Sequence, residues 1–224
     1  PDLAEINENN ATEIFEKIAE IELDKTRFFL QNQKSDKDTH LVFPTIRRNG
    51  TVYCKPGRSA YDTHRGVVLD IMLFYDDAPT RIQRRIQTAI CRFYKTLTWG
   101  HMEHAKFKGK IWKVSYEIAR KKGGNKYTYA KFLKWADKYN QGPNKKNDRL
   151  TYLSVGRNPY NNAFTNRKTY KNLIDIEFEG HIVKTSENYK EVLEFLYGRD
   201  YMRYPSLNGR RATHMPGDIE LNVH

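Results

Sequence analysis

The stretch from Gly66 to Leu97 constrains this chain most: an apolar run, a sharp turn, then a helix whose apolar edge lies beside a basic one. Val67 to Tyr75 is almost unbroken apolar and β-rich, which reads as a strand covered on both faces and interrupted by one carboxylate, Asp70. Asp76, Asp77, Ala78 and Pro79 supply acids of the N-cap type and a proline tolerated in a first turn, so a helix is expected to begin there. Ile82, Ile86, Ala89, Ile90, Phe93 and Leu97 recur at helical spacing and are expected to face a core. Arg81, Arg85, Thr88, Arg92 and Lys95 recur on the adjacent face, which Arg84 widens. A cationic ridge at fixed spacing is a row of donors for phosphates; the alternative is a plainly solvated helix surface.

The distribution of charge decides between these. The formal net charge is +12 over 224 residues. The first 24 residues hold eight acids against Lys17 alone, whereas from Pro44 to Lys171 there are 28 Lys/Arg against 8 Asp/Glu. A chain that only needed solubility would intersperse both signs. One sign repeated over several segments favours a polyanion, and nucleic acid is the commonest polyanion in a cell. Fifteen tyrosines add rings on which unpaired bases could stack. No apolar run approaches the roughly 20 residues of a membrane span, and the acidic N-terminus is unlike a signal peptide. Cys54 and Cys91, without a CxxC, argue against a disulfide framework and for a reducing interior. A cytoplasmic or nucleoid-associated setting, or a virion, is expected.

Along the chain, Asn10 to Glu13 has capping-box spacing, and Ile14, Ile18 and Ile21 make a stripe on an acidic helix suited to the domain surface, a protein partner or self-association. Leu41 to Cys54 reads as a hairpin about Asn49-Gly50, with Arg47 and Arg48 just before its tip. Lys110 to Ile118 alternates as a strand would, with Trp112, Val114, Tyr116 and Ile118 on one face. Arg120, Lys121 and Lys122 open a basic glycine turn, followed by a helix from Tyr127 to Tyr139 with Tyr129, Phe132, Leu133 and Ala136 inward. After a short strand at Leu150 to Val155, the irregular segment from Gly156 to Asn172 carries Arg157, Tyr160, Arg167 and Lys168. A second hairpin is expected about Glu179-Gly180, then a helix capped by Ser186 and stopped at Gly198.

The expected architecture is α+β (or α/β): a mixed or antiparallel central sheet, a strand-helix-strand nucleus over residues 67–118, two hairpins, and helices packed on the sheet. An acidic helix over residues 1–30 would precede a single basic domain over 40–198, with an irregular tail at 199–224.

Asp70 and Glu117 are the candidate catalytic pair, because carboxylates on neighbouring strands can hold magnesium beside a phosphate. The Glu-x-Lys of one nuclease class is not met, since Ala119 stands at that place. Asp76 and Asp77 could join such a site or simply cap a helix. The imidazoles of His101 and His104 lack further zinc-ligand spacing, so no metal site is assigned. No Walker A motif, G-x-S-x-G or histidine–hydrophobic–histidine triplet occurs. The reading is a protein that contacts the nucleic-acid backbone through Arg47, Arg48, Arg81, Arg84, Arg85, Arg92, Lys95, Arg120, Lys121, Lys122, Arg157, Tyr160, Arg167 and Lys168, as in replication or processing of phage or mobile-element DNA. Binding itself requires no cofactor. The alternatives are a magnesium-dependent nuclease using Asp70 and Glu117, and a viral structural protein that packages nucleic acid.

Overall fold

A computed structural model describes residues 11–54, 62–71, 73–103, 109–140, 148–151, 153, 164–204, 206, 210 and 218–221. Among the described residues, five α-helices and several small antiparallel sheets make a mixed α+β fold, in agreement with the expected class. The helices are α1 (Ala11–Glu22), α2 (Arg81–Glu103), α3 (Lys110–Lys121), α4 (Gly124–Ala136) and α5 (Tyr189–Tyr197). The strands are β1 (Phe28–Gln31), β2 (Thr45–Arg48), β3 (Thr51–Cys54), β4 (Val68–Asp70), β5 (Tyr75–Asp76), β6 (Arg149–Thr151), β7 (Phe164–Asn166), β8 (Leu173–Phe178), β9 (His181–Ser186) and β10 (Asp218–Leu221). They pair as β1-β2-β4, β10-β3, β5-β6-β7 and β8-β9, every ladder antiparallel. Among the described residues no helix is long and apolar enough to cross a membrane.

Several expectations need correction. The apolar run 67–75 is not one buried strand: it yields exposed β4, with Leu69 outward, and buried β5 in a different sheet. Lys110 to Ile118 is helical, so the strand-helix-strand nucleus gives way to three consecutive helices. The same residues satisfy both periods: Trp112, Ser115, Tyr116 and Ala119 are the less exposed positions at helical spacing, which the β-rich alternation concealed. Asn49-Gly50 turns the chain, but it closes no ladder. β2 pairs with β1 and β4 while β3 pairs with β10, because the Asn49 amide is tied to the carbonyls of Lys25 and Thr26 instead.

The second hairpin forms as expected. Glu179 and Gly180 both take positive φ (50° and 79°), the requirement of a two-residue turn between right-twisted strands. Gly198, at φ 88°, ends α5.

α2 and α4 clamp the core. Val42, Tyr75, Cys91, Phe132, Ala136 and Leu153 are buried together, and Tyr75 meets the edge of the Phe132 ring with centroids 6.3 Å apart. The two helices run antiparallel, since Gln87 reaches the carbonyls of Trp135 and Ala136 while Thr98 bonds Thr128 at 2.8 Å. Thus α2 buries Gln87, Cys91, Leu97 and Thr98. Ile82 and Ile86, expected inward, are exposed, Ile82 at 72%. α1 repeats the inversion, burying Thr12, Glu16 and Ala19 with Ile18 and Ile21 outside. The reason is hydrogen bonding. The carbonyls at the end of α4 and the Ala78 N–H need partners, and the fully buried Gln87 amide supplies them, also donating to the Asp76 carbonyl.

Candidate nucleic-acid interface

The start of α2 sets the geometry of its cations. Thr80 and Gln83 form a reciprocal cap: the Gln83 N–H donates to Thr80 Oγ1, and the Thr80 N–H and hydroxyl donate to Gln83 Oε1. The T-x-x-Q spacing was the legible signal. Asp76 and Asp77, expected as caps, are instead buried beneath arginines. Arg167 Nη2 lies 2.6 Å from Asp76 Oδ1, and Arg149 Nε lies 3.0 Å and Arg84 Nε 3.7 Å from Asp77 Oδ2. Arg84 Nη1 also donates to the carbonyls of Ala78 and Pro79. Around this corner, Asn140 accepts from the Asp76 N–H and donates to Asp137, whose carboxyl burial pushes up to about 7. Arg149 was missed because nothing in the chain marks a residue 72 positions from its acid.

Several of the expected phosphate contacts also have partners within the protein. Arg47 Nε donates to buried Gln31 at 2.8 Å and its Nη1 to the Gly66 carbonyl at 2.9 Å. Arg48 is half-buried on β2. Arg120 pairs with Glu117 at 2.8 Å one turn away, and exposed Lys168 lies 3.4 Å from Asp148. Arg157 and Tyr160 lie outside the described residues.

What stands clear is the outer row of α2. Arg81, Arg85 and Arg92 are exposed, and no acid pairs with them among the described residues. Lys95 continues the row half-buried; burial, reinforced by nearby Arg92, lowers its ammonium to about 8. Lys121 and Lys122 are exposed at the end of α3, and Lys122 Nζ sits 5.8 Å over the Tyr127 ring. α4 and the turn after it add ring-backed cations that composition alone did not single out: Lys131 on α4 stands 5.6 Å over Tyr127, and Lys138, just past its end, stands 4.1 Å over Trp135.

The strand-borne carboxylate pair is not formed. Asp70 is exposed on β4 opposite Thr45, whereas Glu117 is exposed on helix α3 and bound to Arg120. Among the described residues no three His, Cys, Asp or Glu side chains converge to hold a metal. The side chains of His101 and His104 lie outside the described residues. Comparison with protein-family models, with curated proteins and with solved structures found no match.

Proposed function

We propose that the chain binds nucleic acid through its phosphate backbone, with Arg81, Arg85 and Arg92 as the primary contacts and Lys95, Lys121 and Lys122 as flanking ones. The observation that carries this reading is the arginine row of α2: it is exposed, free of acid partners among the described residues, and fixed by the clamp between α2 and α4. Residues 81, 85 and 92 recur at about one and two helical turns, roughly 6 and 10.5 Å apart along the axis. A rigid spacing of that kind suits consecutive phosphates better than a single small anion.

The test is a salt titration of binding to labelled single-stranded and duplex DNA and RNA. Affinity should fall log-linearly with salt, and the triple change Arg81→Ala/Arg85→Ala/Arg92→Ala should flatten the slope by about two to three. A slope that the triple variant leaves unchanged would refute the assignment.

A further inference from the structure

We propose that the chain self-associates head to tail, the acidic lobe made by β8, β9 and α5 of one copy seating on the isoleucine ridges of α2 and α3 of the next. This inference is independent of nucleic-acid binding, although both use the arginine row.

The receiving surface is apolar and basic. Ile82, Ile86 and Ala89 form an exposed ridge on the first half of α2, with Arg81, Arg85 and Arg92 one step around the helix. Further along, Phe93 of the same ridge packs on Trp112 of α3, centroids 5.4 Å apart, so α3 covers the second half. α3 then presents its own exposed ridge of Ile111, Val114 and Ile118, with Ile111 at 78%. Isoleucines lined at helical spacing on two contacting helices form a patch of the kind that marks an interaction site.

The seating lobe is apolar and acidic. Residues 173–197 hold six Asp/Glu against two Lys. Lys184 is already paired with Asp175 at 2.8 Å, while Glu177, Glu179, Glu191 and Glu194 are exposed with no ion pair among the described residues. The ladder register places Leu173, Glu177 and Ile182 on one face of the hairpin, where Leu173 and Ile182 are exposed beside the Glu177 carboxylate. An isolated two-stranded hairpin is marginal in water and needs a surface to pack on. Opposite charge around two apolar faces selects one for the other. Because the two faces differ, the contact is heterologous and propagates or closes a ring rather than stopping at two copies.

Sedimentation of the nuclease-treated, nucleic-acid-free chain at low salt tests this. The mass is expected to rise with concentration past two copies and to fall as salt screens the contact. Ile111→Glu/Val114→Glu, both exposed and outside the arginine row, should weaken association by about tenfold or more. Glu177→Lys/Glu179→Lys and Arg81→Glu/Arg85→Glu should each weaken it, and the four changes combined on one chain should restore it. A monomer at every concentration, a dimer that ignores the α3 changes, or a combined variant that stays dissociated would overturn the proposal. Nucleic-acid binding by the parent chain separates the two readings: a parent chain that associates but binds no nucleic acid sinks only the function proposed above, and a parent chain that binds but never associates sinks only this one.

Discussion

Two groups of arginines, one of which includes Arg84 directly beside Arg85 of the other, have opposite fates. In the corner beneath β5, β6 and β7, Arg84, Arg149 and Arg167 neutralise the buried carboxylates of Asp76 and Asp77. On the outer row of α2, Arg81, Arg85 and Arg92 meet solvent. The difference is not in the cations but in the acids around them. A buried carboxylate without a counter-ion is costly, so the corner holds three guanidinium groups, whereas among the described residues no acid pairs with the row. A basic residue is available to a partner only after the protein's own buried acids are satisfied.

Substitutions should separate the two regions sharply. The largest effect is expected inside the corner: Gln87→Ala removes the amide that serves the Ala78 N–H and the carbonyls of Asp76, Trp135 and Ala136, and leaves a cavity. A loss of about 3 kcal/mol, read from denaturant midpoints, is expected. Arg167→Met comes next. It strips Asp76 of its closest cation, and because Arg167 is itself part-exposed the expected cost is about 2 kcal/mol.

The corner should also carry a pH dependence of its own. Burial raises Asp137 to about 7 in the folded chain, so the folded state holds a proton that the unfolded chain releases near the ordinary carboxylate value of 3.8. Asp137 therefore favours folding most at low pH, and its contribution is lost progressively as pH rises from about 4 to about 7. Asp137→Asn should flatten that part of the stability profile and be the more stable chain at pH 8, as thermal melts across the range would show. Equal pH profiles for the two chains would place Asp137 outside the corner's energetics.

On the row, Arg85→Ala should change stability by no more than about 0.5 kcal/mol, yet reduce the salt slope of nucleic-acid binding by about one. A corner variant that remains folded should show the reverse. Lys95 gives the smallest and most specific signature: its ammonium at about 8 loses charge as pH rises, so affinity should decline modestly through that value. Lys95→Arg should abolish the decline, because a guanidinium stays charged.

How much of this was legible follows from range. The β8-β9 hairpin was, since two adjacent residues, Glu179 and Gly180, carry its turn. The inward face of α4 was also legible, with Phe132 and Ala136 buried as their spacing implies. The candidate site was half legible. Its α2 row follows from spacing alone, but Arg47 and Arg167 were indistinguishable from Arg81 until Gln31 and Asp76 were placed beside them. The α3 helix was misread because nine residues satisfied two periods equally.

By itself, then, the chain determined its class, its local turns, the position of its strongest helix and the sign of its surface, because these depend on neighbours within a turn or two. Only the tertiary structure decided which faces of α1 and α2 are buried and which cation is free. Those outcomes rest on satisfying buried hydrogen-bonding groups and carboxylates with partners as distant as Trp135 from Gln87 or Arg167 from Asp76, and no local pattern records such pairings.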